Sequence, residues 1–243
     1  MKAIILAAGR GSRLKGLTDD LPKSMLKLNK KHTLLSLNLK KLSEAGIDSI
    51  IMVIGYQAQK IKLYAQKIAN NYEIKIEFIY NPFWCHCNVL GSFYMALGKI
   101  KDSFIFLHAD TLFDIEVIEG LMQSKSDACL AVDFKECGEE EMKVWIDKNK
   151  IKRITKDDIG YQADGEFVGI AKFSTKMEKY FSDKSVEIFQ TNELNSYMEK
   201  VLDNGVISGD LKLDYFDSTC FKTIEVDFSE DLIIAKTLFS NEK

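Results

Sequence analysis

The residues best equipped for chemistry in this 243-residue chain sit in three short segments, each directly after a run that reads as a strand. The first is Gly9-Arg10-Gly11-Ser12-Arg13, which follows the apolar run at 3–8. A glycine-rich turn behind a buried strand lets backbone N–H groups approach phosphate oxygens. It is not a P-loop, because no Gly-Lys-Ser/Thr closes it. It is not the dinucleotide fingerprint either, because Leu14 stands where the third glycine belongs. On the glycines alone, a plain strand-to-helix turn explains the segment as well as a phosphate loop does. Ser12 and Arg13 favour phosphate, since arginine adds a fixed charge and a fork geometry. Only three of the 33 basic residues are arginine, and two of those are Arg10 and Arg13. Further on, Pro22 restricts the backbone just before Lys23. That lysine is placed to close over the same phosphates, or is one surface lysine among many.

The other two segments carry carboxylates: His108-Ala109-Asp110 and Glu225-Val226-Asp227. Mg²⁺ takes hard oxygen ligands, commonly one or two carboxylates plus substrate phosphates. Each aspartate also has a plain reading as a helix cap, where Asp114 and Ser229 compete for the same job. Cys85-His86-Cys87 with His108 invites a zinc reading, but adjacent C-H-C ligands strain the chelate. Asn88 reads most simply as an N-cap, with a ligand contact second.

Strands and helices must position these groups. The patterning predicts strands at 3–8, 49–54, 74–79, 104–107 and 128–132, and helices at 34–45, 57–68, 88–97 and 115–122. This alternation over residues 1–132 argues an α/β fold, with a parallel sheet covered by helices. Ligands then bind at the C-terminal edge of the strands, where a parallel sheet would bring Asp110 and Asp227 together. Later the pattern loosens. A hairpin is expected at 143–147 and 151–154, a strand at 166–173, a helix at 192–202 with Asn204-Gly205 after it, and a closing strand–helix unit from 223. The expected architecture is one domain, 1–243, with a mostly parallel sheet and a small antiparallel lid. It divides into a nucleotide-binding part (1–132), an acceptor-binding part (133–222) and the closing strand and helix (223–243).

Composition agrees. With 46% apolar and 28% charged residues the chain is globular, and its net charge of −3 speaks against a nucleic-acid partner. Five cysteines without framework spacing suit a reducing cytoplasm. The N-terminal apolar stretch stops after Ala8, too short for a signal peptide, and no run approaches the roughly 18 residues of a membrane span.

Residues 9–23 resemble the signature of the sugar-nucleotidyltransferase-like family, G-x-G-[ST]-R-[LM]-x-P-L-T-x-x-x-P-K, with spacing kept throughout. One position departs: Gly16 stands where the family usually has proline. The resemblance implies a nucleotide-binding α/β fold and transfer of a nucleotidyl group from an NTP to a phosphorylated acceptor, releasing pyrophosphate. It implies that Arg13 and Lys23 bind the triphosphate. Leu6, Ala8, Gly9, Gly11, Ser12 and Asn88 would lie along the nucleotide, and Asp110 and Asp227 would hold Mg²⁺. Lys156 would grip the acceptor phosphate, and Gly169 lies on the strand lining the acceptor pocket.

The short chain, Asn81-Pro82-Phe83-Trp84 and the segment 164–169 look most like the compact cytidylyltransferase branch. That branch uses CTP and acceptors such as phosphocholine, 2-aminoethylphosphonate or phosphoglutamine, as found in surface-polysaccharide or capsule biosynthesis. Pockets for such acceptors need carboxylates or aromatic faces. Glu166 is the leading candidate, with Trp145, Asp164 and the run Glu139-Glu140-Glu141 behind it. Two rivals stay open: a sugar-1-phosphate uridylyl- or thymidylyltransferase, and a non-catalytic nucleotide-binding regulator. The signature does not specify the oligomeric state.

Overall fold

The computed structural model describes residues 1–14 and 16–242; Lys15, inside the glycine-loop signature, lies outside them. Eleven strands run in chain order: β1 Lys2–Ala7, β2 Ser49–Ile54, β3 Lys75–Tyr80, β4 Phe104–His108, β5 Thr111–Phe113, β6 Ala128–Asp133, β7 Lys143–Asp147, β8 Lys150–Thr155, β9 Gly165–Phe173, β10 Asp214–Asp217 and β11 Thr223–Glu225. Seven α-helices accompany them: α1 Leu34–Glu44, α2 Ala58–Asn70, α3 Val89–Leu97, α4 Ile115–Gln123, α5 Thr175–Gln190, α6 Glu199–Ser208 and α7 Ser229–Leu238.

The main sheet has the order β10-β6-β9-β4-β1-β2-β3. Strands β4, β1, β2 and β3 are parallel, and β10 is parallel to β6. Strand β9 is antiparallel to both β4 and β6 and separates them. The fold is therefore the expected α/β domain with a mostly parallel sheet. The 143–155 hairpin is antiparallel, and β7 pairs with the start of β9, Lys143 opposite Glu166, so the hairpin extends the main sheet.

Helices cover both faces, which is why β1 and β4 are apolar at nearly every position rather than alternating. Ile4, Phe104 and Phe106 face a layer of Phe93, Phe173 and Phe181 beneath α3, α5 and α6. Ala3, Ile5, Ile105 and Leu107 face Leu35, Leu39, Val117 and Ile118 from α1 and α4. A third, smaller cluster joins Leu14, Leu26, Leu34, Leu112, Val226 and Phe239. It ties the loop after β1 to the end of β11. Each such side chain contributes roughly 1.5–3 kcal/mol on burial, and here that burial fixes Arg13 beside Asp227.

Three expectations need correction. The closing strand does not join the parallel sheet: β11 forms an antiparallel two-stranded ribbon with β5, Glu225 opposite Thr111. The helix expected at 192–202 begins at Glu199 and runs through Gly205 to Ser208. Gly205 lies inside the helix and is glycine because a Cβ there would lie 2.3 Å from Tyr180 Oη and 2.7 Å from Leu211 Cδ1; Gly209 at φ +82° is the stop. Helix α5 has no counterpart among the expected elements, although Met177, Phe181, Ser185 and Ile188 give it a buried face at helical spacing.

Candidate active site

The loop after β1 is shaped by two glycines in the left-handed region. At Gly11, φ +71°, an added Cβ would lie 2.9 Å from Lys23 Cβ, so the glycine gives the lysine stem room to pass. Thr18 Oγ1 donates to the Gly11 carbonyl at 2.9 Å and cinches the loop. Gly16 stands at φ +80°, a conformation closed to proline, so the signature's one departure changes the backbone path locally. Pro22, φ −55°, heads the 3₁₀ turn Lys23–Met25 and sends the Lys23 side chain inward, where it is 8% exposed.

There its Nζ sits 2.6 Å from Asp110 Oδ2 and 2.6 Å from Asp227 Oδ1. Arg13 Nη2 reaches Asp227 Oδ2 at 2.9 Å. Burial alone would lower the Lys23 pKa, but the two carboxylates outweigh it and hold the ammonium well above the ordinary lysine value. Burial likewise works to raise Asp110, and Lys23 and His108 hold it below the usual carboxylate range. Neither aspartate is a cap. Asp114 heads α4, while Asp231 accepts from the Asp227 and Phe228 backbone N–H groups at the start of α7. The antiparallel ribbon brings the two aspartates together: Val226 N–H donates to the Asp110 carbonyl at 3.1 Å.

A cleft of about 670 Å³ opens over these groups. Leu6, Ala8, Gly9, Gly11, Ser12 and Asn88 all line it, and Asn88 also caps α3, accepting from Val89 N–H at 2.8 Å. Lys156 and Glu166 line its other end. The Glu166 carboxylate is met by Lys135 at 2.6 Å. Lys156 lies 3.7 Å from Glu140 and 5.2 Å from the Tyr197 ring centroid. Trp145 and Asp164 fall outside the cleft lining: the indole N–H donates to the Tyr161 carbonyl, and Asp164 accepts from Ile146 N–H.

Sequence reading passes over Glu199 and gives Glu225 no role beside Asp227. Glu199, 3% exposed, is the first residue of α6 and lines the cleft; burial raises its pKa. Nothing in its sequence neighbourhood marks it. Glu225 is the last residue of β11, two residues before Asp227. His108 Nδ1 donates to Glu225 Oε1 at 3.2 Å. Burial opposes protonation of His108, yet Glu225 outweighs it and the pKa rises to about 9. Gly169, φ +76°, makes room for this histidine: a Cβ there would lie 3.1 Å from His108 Nδ1.

The donor set suits a hard divalent cation. Asp110 and Asp227 already converge on one cation, the Lys23 ammonium. Among the described residues, His108, Asp110 and Glu225 also place ligand atoms within 4.8 Å of one another. Eight carboxylates line the cleft against four lysine and arginine side chains, all four paired to carboxylates. A polyphosphate entering this cleft needs further positive charge, and a divalent cation on these oxygens would supply it.

Comparison with known proteins places these features. Residues 2–136 match the nucleotidyl transferase family model. The chain is 26% identical over 228 residues to a choline-phosphate cytidylyltransferase of Streptococcus pneumoniae, covering 88% of this chain and 95% of that protein. It is 33% identical over 143 residues to a CTP:phosphoglutamine cytidylyltransferase of Campylobacter jejuni, covering 56% of this chain and about half, 54%, of that one. The inositol-1-phosphate CTP transferase of T. maritima shares the fold, with a TM-score of 0.81 at 19% identity over 99% of this chain and 96% of that one. No helix among the described residues is long and apolar enough to cross a membrane.

Proposed function

We propose that this chain, which belongs to the nucleotidyl transferase family, is a cytidylyltransferase that moves CMP from CTP onto a small, phosphorylated, amine-bearing acceptor. The observation that carries the reading is the convergence of Arg13, Lys23, Asp110 and Asp227 beside a glycine loop in one cleft. The choice of CTP is supported by the two cytidylyltransferase relatives.

The glycine loop, with Leu6, Ala8, Gly9, Gly11 and Ser12, would receive the nucleotide, and Asn88 would border it from α3. Arg13 and Lys23 would turn from the aspartates to the triphosphate. Asp110 and Asp227, so freed, would hold Mg²⁺, which supplies charge neutralisation at the phosphates. Lys156 would orient the acceptor's phosphoryl group so that one of its oxygens attacks the α-phosphorus. The new P–O bond forms as the bond from the α-phosphorus to the bridging oxygen breaks, and pyrophosphate leaves with that electron pair. Positioning and charge stabilisation suffice for this chemistry, with no covalent nucleophile. At the far end of the acceptor, Glu199 and Glu225 provide carboxylates for an amine. Glu166, neutralised by Lys135, would border that pocket rather than bind the charge.

The test is pyrophosphate release with each of the four common NTPs and dTTP, against a panel of phosphorylated amines and sugar 1-phosphates. CTP with a phosphorylated amine should dominate. Preference for UTP or dTTP with a sugar 1-phosphate would overturn the reading, and so would CTP binding without turnover of any acceptor.

A further inference from the structure

Glu199 poses a problem that the chain itself does not solve. Its carboxylate is 3% exposed, lines the cleft, and leaves Oε2 buried without a hydrogen-bond partner. Neither nearby cation serves it: Lys156 is engaged with Glu140 and the Tyr197 ring, and His108 makes no hydrogen bond to it. His108 uses Nδ1 on Glu225, and its Nε2 is also buried without a partner. A buried acceptor left unpaired is costly, more so when charged. The group that relieves it must bring a hydrogen to donate.

Fully methylated ammonium groups have no N–H and are recognised instead by cages of aromatic faces. This cleft offers no such cage. Of the aromatic rings that line it, Tyr197 lies by Lys156 and Phe228 by Arg13, each cation about 5.2 Å from the ring centroid, and even with those cations turned to phosphates no two of the lining rings pair with each other. Phe167 is buried in the core, and Trp84 packs edge-on against Tyr56, beside Gly55 and the glycine loop. Trp145 points elsewhere, to the Tyr161 carbonyl.

We infer that the acceptor presents N–H donors to Glu199, as a primary or partly methylated ammonium or a carboxamide does, and that the site selects against a quaternary nitrogen. This rests on the cytidylyltransferase reading above and narrows its acceptor. A charge-assisted N–H bond to Glu199 satisfies the orphaned oxygen, whereas a trimethylated nitrogen would bury it unpaired.

The experiment compares kcat/KM, at saturating CTP and Mg²⁺, for phosphoethanolamine and its mono-, di- and trimethylated forms. The chain length from phosphate to nitrogen is constant across the series, and only the last methyl removes the last N–H. The largest single drop, about ten-fold or more, should fall at the dimethyl-to-trimethyl step. Glu199→Gln should lower kcat/KM for phosphoethanolamine about ten-fold and shrink that step, with KM for CTP unchanged and the melting temperature confirming the fold. A smooth decline along the series would mean that bulk, not hydrogen bonding, sets the preference, and would overturn the inference. So would phosphocholine used as well as phosphoethanolamine. If none of the four is turned over while a sugar 1-phosphate is, the amine-acceptor reading itself falls.

Discussion

At Lys23 one buried ammonium holds two half-buried aspartates together, and the same ammonium is the group proposed to meet the triphosphate. Its removal should act twice. Lys23→Ala should lower kcat/KM by the equivalent of about 2–4 kcal/mol, the scale of losing one preorganised charge-stabilising donor. It should also destabilise the free protein, because Asp110 would lose its ion pair and face Asp227, which Arg13 alone would still hold. Lys27→Ala, four residues on and exposed, should change neither; equal losses from the two variants would remove the special role of Lys23. His108 gives a pH signature. Its pKa is raised from 6.5 to about 9 in the folded chain, so folding favours the protonated form. Its contribution to stability is complete below pH 6.5 and is lost as pH rises through about 9. At about 1.4 kcal/mol per unit, the loss across that window is up to about 3 kcal/mol. Urea melts in EDTA should show this slope, and His108→Gln should flatten it.

At the scale of elements, the acceptor wall depends on how α6 sits against β8. Asp203, one turn after Glu199, accepts from Arg153 Nε at 2.9 Å and Nη2 at 3.1 Å, and from Ile154 N–H at 2.9 Å. Lys156 lies two residues past that anchor. The third arginine of the chain thus clamps β8, which leads directly into Lys156, to α6, which carries Glu199. Arg153→Ala should cost about 1.5–3 kcal/mol of stability in denaturant melts, the range for hydrogen bonds to charged groups. It should also raise KM for the acceptor more than KM for CTP. Arg153→Lys should rescue little, because an ammonium cannot reproduce the bidentate fork.

At the scale of the molecule, β9 decides what is separable. It comes from the 133–222 part, yet it lies between β4 and β6 of the first part and pairs with both. Phe173 at its end packs against Phe104 and Phe181 in the largest core layer. A fragment of residues 1–132 would leave β4 and β6 with open edges and half a core. Expressed alone, it should fail to give a cooperative thermal transition or dispersed amide resonances. A well-folded fragment would show that the sheet closes without β9.

Local information determined much of this protein. The continuous apolar runs at 3–8, 49–54 and 104–107 announced strands buried on both faces, because burial on both sides removes any need for alternation. The spacing from Gly9 to Lys23 located the loop, since Gly11 must be small and Pro22 must stiffen the approach to Lys23, and both are demands of the local backbone. Tertiary structure decided what no local pattern encodes. The insertion of β9 is a pairing between residues far apart in the chain, and strand pattern alone does not choose neighbours. Asp227 reaches Asp110 through a two-stranded ribbon rather than the parallel sheet, because the small cluster of Leu14, Leu112 and Val226 pulls that ribbon onto the loop. Gly205 has the sequence look of a helix end and is a helix interior, since its reason for being glycine is Tyr180 on another helix. Glu199 and Glu166 look alike as sequence. What separates them is that Lys135 reaches one while the other is buried without a partner, and only packing sets that difference.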